Sequence, residues 1–179
     1  PVGACGASTQ WNFPCSMITR KVSPARAAGC TVVLKPANET PLTALALVAL
    51  AEKAGVPKGV FNILTGNSSA IGKVLCEHPA VRFVGFTGST EVFRWMWKQV
   101  GQRLESYRSY PRLVGETGGK DFIVAHPSAD VDELVAAVVR GGFEYQGRKC
   151  PGPPRVSVPA PMWSEGSGRI GVAASRRRR

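Results

Sequence analysis

The chain has 179 residues, 44% of them hydrophobic and 20% charged, a composition ordinary for one globular core. No apolar run reaches the roughly 18 residues that a membrane-spanning helix needs. The net charge of +11 would point to nucleic acid, but four of the cations are Arg176 to Arg179 and the others are scattered, so nucleic acid is set aside and the end reads as a solvated tail.

Val2 to Ser8 is small and apolar, which predicts a buried strand ending at the turn Trp11-Asn12-Phe13-Pro14. Ser16 to Ala28 has helical character, with Pro24 expected to kink it or mark a boundary. Cys30 to Leu34 is a β-branched run of the kind a buried parallel strand uses, and Lys35 sits at its carboxyl end. Thr40 reads as a cap before Pro41, and Gly55 closes a helix that is apolar nearly all round and so is expected to be well buried.

Val60 to Leu64 predicts a strand, Ser69 to Glu77 a helix, and Val81 to Phe86 a strand ending in Thr87-Gly88-Ser89. A helix over Thr90 to Leu104 carries Phe93, Trp95, Met96, Trp97 and Val100, which suggests packing against another layer. Asp121 to Ala125 predicts a strand, and Ser128 to Val139 a helix with Asp130 and Asp132 in its first turn. After Cys150 come Pro151, Gly152, Pro153 and Pro154, which place the next strand in question; no regular structure is expected from about Gly166.

The alternation βαβαβ implies an α/β fold, a parallel sheet with right-handed crossovers. Ligands of such sheets bind beyond the carboxyl ends of the strands, where Asn12, Lys35 and Ser89 all fall. Gly88-Ser89-Thr90 opens a helix and exposes backbone N–H groups suited to a pyrophosphate, although such a turn can also do no more than cap its helix. Lys35 is open to the same two readings, a ligand or a strand-end lysine in water.

Five cysteines, at 5, 15, 30, 76 and 150, form no CxxC pair, and an odd count without a signal peptide points to a reducing compartment, cytoplasm or organelle matrix. His78 and His126 stand far apart with no cysteine at metal-ligand spacing, so no metal site is expected. The chain opens at Pro1 in mid-pattern, which leads us to expect a fragment. Cys150 follows Gly147, Arg148 and Lys149; nearby cations favour the thiolate, the form that attacks a carbonyl carbon, while a structural cysteine in a basic loop remains the plainer reading. Two further stretches add a carboxamide at Asn12 and a carboxylate at Glu116.

Taken together, Trp11-Asn12-Phe13-Pro14, Lys35-Pro36-Ala37, Phe86-Thr87-Gly88-Ser89-Thr90, Glu116-Thr117-Gly118-Gly119-Lys120 and Gln146-Gly147-Arg148-Lys149-Cys150 resemble the aldehyde dehydrogenase superfamily, in its order and spacing. The resemblance runs from about Pro1 to about Val158. It implies a Rossmann-like parallel sheet with part of the cofactor-binding domain over 1–115, the start of the catalytic domain over 116–158, and an irregular basic tail over 159–179. It further implies Cys150 as nucleophile, Glu116 as the base that activates water and Asn12 as an oxyanion donor. Trp11, Lys35, Gly88 and Ser89 would hold NAD or NADP. A small aldehyde is the implied substrate, and a homo-oligomer the implied state of a full-length member.

Up to about Phe86 the chain resembles the succinate-semialdehyde branch, where Arg20 in Met17-Ile18-Thr19-Arg20-Lys21-Val22 matches the arginine for the substrate carboxylate. From about Phe93 it resembles the 1-pyrroline-5-carboxylate (L-glutamate γ-semialdehyde) branch. The implied activity is oxidation of a carboxylate-bearing semialdehyde; the alternative is a non-catalytic truncated or chimeric product with a nonspecific basic tail. Gln10, Asn38 and Arg148 depart from the family pattern, which usually has proline, a ribose-binding glutamate and, in the second branch, glutamine there.

Overall fold

A computed structural model describes residues 1–150 and 152–176. The chain divides into two compact units, Pro1–Thr117 and Gly118–Arg179. In the first, the elements are β1 (Ala4–Ser8), α1 (Pro14–Ala27), β2 (Thr31–Lys35), α2 (Pro41–Lys53), β3 (Phe61–Ile63), α3 (Ser68–Glu77), β4 (Val81–Thr87), α4 (Thr90–Gly101) and β5 (Arg112–Glu116). All five strands are parallel, in the order β3-β2-β1-β4-β5. Ser8 pairs with both Lys35 and Phe86, and Thr87 pairs with Glu116, so the carboxyl ends of four strands share one edge.

The chain moves outward from β1 to β3, then returns to place β4 on the other side of β1. That reversal is the switch point where open α/β sheets bind ligands. Because crossovers are right-handed, it also puts α1 and α2 on one face and α3 and α4 on the other, matching the pairs that pack together. One core gathers Cys5, Ala7, Ile18, Val32, Leu34 and Ala44; the second gathers Cys76, Val84, Phe86, Met96 and Val100. Gly85 carries no Cβ, and Phe83 and the stem of Lys21 lie within 3.8 Å of where one would be.

Four expectations need correction in this unit. Helix α1 continues through Pro24 to Ala27, since a proline late in a helix forfeits one bond and leaves the following turn free to close. Helix α2 is not buried: Ala44 is its one fully covered residue, while Leu42, Leu45 and Leu50 face outward, because a sheet can cover only one side of a helix. Thr40 stands at its N-cap without a side-chain cap bond. Gly115 and Glu116 belong to a fifth strand, and the first unit closes after Thr117, so Glu116 sits with the sheet and not with the segment that follows.

The second unit holds β6 (Phe122–Val124), α5 (Val131–Phe143), β7 (Arg155–Ser157) and α6 (Ala160–Arg176). β6 and β7 pair in parallel, with Ile123 opposite Val156. Asp130 caps α5 by accepting the Glu133 N–H at 2.9 Å. Leu134, Val138 and Met162 form its core.

Here the proline-rich stretch does not abolish the strand, because the ladder begins at Arg155, beyond the last proline; Pro151 lies outside the described residues. The segment expected to be irregular forms α6 through Arg176. Packing drives this: Met162 and Gly166 are buried, and Gly166 lies against Val131 and Val135 of α5. Arg177 to Arg179 of the expected tail lie outside the described residues.

Candidate active site

Buried polar side chains are the informative ones, since desolvation is unfavourable unless partners compensate. Among the described residues they are Thr9, Asn12, Lys35 and Thr87, and each stands at or just past the carboxyl end of β1, β2 or β4. Beside them opens a cleft of about 740 Å³, lined in part by Trp11, Lys35, Asn38, Ser68, Gly88, Ser89 and Trp95. Trp11, Lys35, Gly88 and Ser89 are thereby brought into one cavity.

Lys35 is only 6% exposed, so it is not a strand-end lysine in water. Its Nζ donates to Asn38 Oδ1 at 2.8 Å and to Ser68 Oγ at 2.7 Å. Burial pushes its pKa down, with Glu39 opposing the shift. Ser89 caps α4 by accepting the Val92 N–H at 3.2 Å, which aims the helix N-terminus at the cleft. A Cβ on Gly88 would lie 2.5 Å from the Phe86 ring, and the Gly88 N–H donates to the Glu116 carbonyl at 3.1 Å. The turn is therefore held by β4 and β5 together.

Arg20 and Glu116 are also brought together: Arg20 Nη2 lies 3.4 Å from Glu116 Oε2, with the two side chains 59% and 42% exposed. Next to Arg20, Lys21 Nζ donates to Thr87 Oγ1 at 2.5 Å. Burial lowers the Lys21 pKa, Glu116 raises it, and Arg20 lowers it further. Neither Lys21 nor Thr87 was singled out from sequence as a site residue. The signal existed: Met17, Ile18 and Val22 form the buried stripe of α1, and Lys21 falls at the helical spacing that joins it.

Cys150 belongs to the second unit and is half-buried. Its loop is tightly constrained. Tyr145, Gln146 and Gly147 are all left-handed, with φ of 58°, 52° and 71°, a conformation that disfavours the first two residues. Lys149 Nζ pairs with Glu144 Oε2. A Cβ on Gly119 would lie 2.5 Å from the Cys150 carbonyl oxygen, so only glycine fits beside it.

The cleft fits a dinucleotide on its own donor set. Its volume is in the range of small-molecule sites, a buried ammonium and two hydroxyls suit phosphate and ribose oxygens, and a capped helix N-terminus favours an anion.

A parallel sheet with a cleft of this kind at its switch point defines a Rossmann-like nucleotide-binding protein. The chain belongs to the aldehyde dehydrogenase family, whose profile matches residues 1–177. It is similar to the 3-sulfolactaldehyde dehydrogenase of Pseudomonas putida, 43% identical over 98% of this chain and 35% of the relative. It is 45% identical to an NADP+-dependent succinate-semialdehyde dehydrogenase of Escherichia coli, over 84% of this chain and 30% of that protein. The crystal structure of succinate-semialdehyde dehydrogenase from Burkholderia pseudomallei superposes with a TM-score of 0.92 at 39% identity, covering 98% of this chain and 35% of that one. The chain thus spans about a third of the length of the relatives it matches. Among the described residues no helix is long and apolar enough to cross a membrane.

Proposed function

We propose that this chain is the part of an NAD(P)-dependent semialdehyde dehydrogenase that carries the cofactor cleft, the base and the nucleophile, acting on an aldehyde with a remote carboxylate such as succinate semialdehyde or L-glutamate γ-semialdehyde. The observation that carries the reading is the placement of Arg20 against Glu116, at the same sheet edge as the cleft.

The Cys150 thiolate forms a C–S bond to the aldehyde carbon, and the carbonyl electrons move onto oxygen. The Asn12 carboxamide and the Cys150 backbone N–H donate to that oxyanion, an interaction whose loss typically costs about 3 kcal/mol. Bound nicotinamide supplies the hydride acceptor, and Lys35, Trp11, Gly88 and Ser89 hold the dinucleotide. Once the thioester has formed, Glu116 takes a proton from water, the hydroxyl adds to the acyl carbon, and the C–S bond breaks to return the thiolate. Arg20 binds the far carboxylate.

Pro1–Thr117 carries the cofactor cleft together with Asn12, Arg20 and Glu116, and the segment that follows carries Cys150. The longer protein is a homo-oligomer of a reducing compartment, cytoplasm or organelle matrix, in keeping with five free cysteines. The test is titration of NAD+ and NADP+ into the chain, followed by the absorbance of reduced nicotinamide on adding succinate semialdehyde to the longer protein. Binding that weakens at least tenfold in Lys35→Met, with oxidation lost in Cys150→Ser and kept in Cys30→Ser, is the expected result. Equal loss from the two cysteine changes would sink the assignment of the nucleophile.

A further inference from the structure

Glu116 is fixed at its backbone and loose at its side chain. Its main chain is the last rung of β5, paired with Thr87, and its carbonyl accepts the Gly88 N–H at 3.1 Å. Its carboxylate is 42% exposed and reaches Arg20 through one oxygen at 3.4 Å. Such an exposed, single-point ion pair is weak, because water solvates both partners. The guanidinium is a planar fork with five donors, able to hold a carboxylate at both oxygens, which this contact does not do.

We infer that Arg20 is a shared cation. Without substrate it holds Glu116; the remote carboxylate of a semialdehyde takes it over by a two-oxygen contact, and the displaced Glu116 side chain becomes free to accept a proton from water. The exchange rests on the reading of Arg20 and Glu116 given above and adds a coupling to it: the base is released by the feature that marks the correct substrate. An uncharged aldehyde of similar length leaves Glu116 paired. Selectivity then resides in the hydrolysis of the acyl-enzyme as well as in binding. The Glu116 backbone stays in place, paired with Thr87 and Gly88, and the displaced carboxylate keeps the Lys21 ammonium as a neighbouring cation.

The exchange predicts a competition that can be read without turnover. Succinate is titrated calorimetrically into the full chain, with near-UV circular dichroism confirming that each variant keeps its fold. Removing the competitor in Glu116→Gln should tighten succinate roughly fivefold. Glu116→Asp keeps the charge but withdraws it by one methylene, so it should tighten succinate as well; affinity equal to that of the unaltered chain would mean that the field of the carboxylate, and not the contact, is responsible, and would overturn the exchange. Equal affinity in Glu116→Gln and the unaltered chain, with Arg20→Ala still abolishing binding, would overturn the exchange while leaving Arg20 as the carboxylate site. Succinate binding indifferent to Arg20→Ala would overturn both.

Discussion

The two units reach burial by different routes. In Pro1–Thr117 the parallel sheet has helices on both faces, and Ile18, Val32 and Leu34 are no more than 1% exposed. In Gly118–Arg179 two short strands and two helices share a small core in which Leu134 and Val138 are 8% exposed, and Phe122 and Val124 of β6 are 68% exposed. Parallel strands are stable when both faces are covered. The first unit meets that condition within itself, and the second leaves one face of β6 bare. The cleft therefore stands on the firmer of the two, and the Cys150 loop, with its left-handed residues, on the softer.

The largest expected effect tests that contrast directly. Leu34→Ala, at a site with 0% exposure in the first core, should cost about 4 kcal/mol, whereas Val138→Ala in the second should cost about 2 kcal/mol. Urea unfolding followed by amide hydrogen exchange assigns each loss to its unit. Equal losses, or a loss from Leu34→Ala that appears first in α5 and α6, would erase the distinction between the two cores.

What the sequence made legible follows the same line. Period and capping rules found all the elements from β1 to α4 because each is closed by its own neighbours, and the family motifs pointed to Lys35, Gly88 and Ser89 as cleft residues. Strand β5 escaped notice because Gly115 and Glu116 give it little β character; what holds it is its pairing with β4 and the Phe93 ring, 2.2 Å from where a Gly115 Cβ would be. Helix α6 was missed because Gly166, Gly168 and Gly171 lower its intrinsic propensity, while its stability comes from contact with α5, which no local rule reports. The Arg20 to Glu116 contact joins residues nearly a hundred positions apart, so only the sheet topology could disclose it.

A second prediction sharpens the contrast through pH. Cys76 is 1% exposed, and burial, with Glu77 beside it, pushes its thiol up to about 11. The folded state therefore keeps the proton that the unfolded chain loses near pH 9, so this contribution is fully present below pH 9 and fades as pH rises to 11. A shift of about two pH units corresponds to about 3 kcal/mol. The first unit should thus weaken between pH 9 and 11, and Cys76→Ala should make that fall shallower, the remainder coming from Cys5, whose thiol burial likewise pushes up to about 11. Parallel pH profiles for the two proteins, measured by urea unfolding, would show that Cys76 is not the titrating group.

Within the first unit, the helix caps rank differently from their residue types. Asn67 accepts the Ala70 N–H at 3.0 Å at the start of α3, while Thr40 makes no such bond at the start of α2. Asn67→Ala should cost about 1 kcal/mol and Thr40→Ala only a few tenths. Thermal melts of the pair decide it, and a larger loss at Thr40 would restore the cap assigned to it from sequence alone.

The smallest effect addresses the softer unit from the opposite direction, by strengthening it. Gly168 and Gly171 lie in α6, both exposed, and a Cβ at either would meet nothing within 4 Å. Gly166 differs, since it is buried against Val131 and Val135. Replacing an exposed helical glycine by alanine removes conformational freedom from the unfolded chain and adds no clash, a gain of about 0.8 kcal/mol at each site. Gly168→Ala and Gly171→Ala should raise protection of α5 and α6 amides against hydrogen exchange and leave those of β1 to β4 unchanged. The gain should stay in the second unit if the two cores unfold separately. A matching rise across β1 to β4 would mean that the units melt as one, and the difference between their cores would then carry no consequence for the cleft or the Cys150 loop.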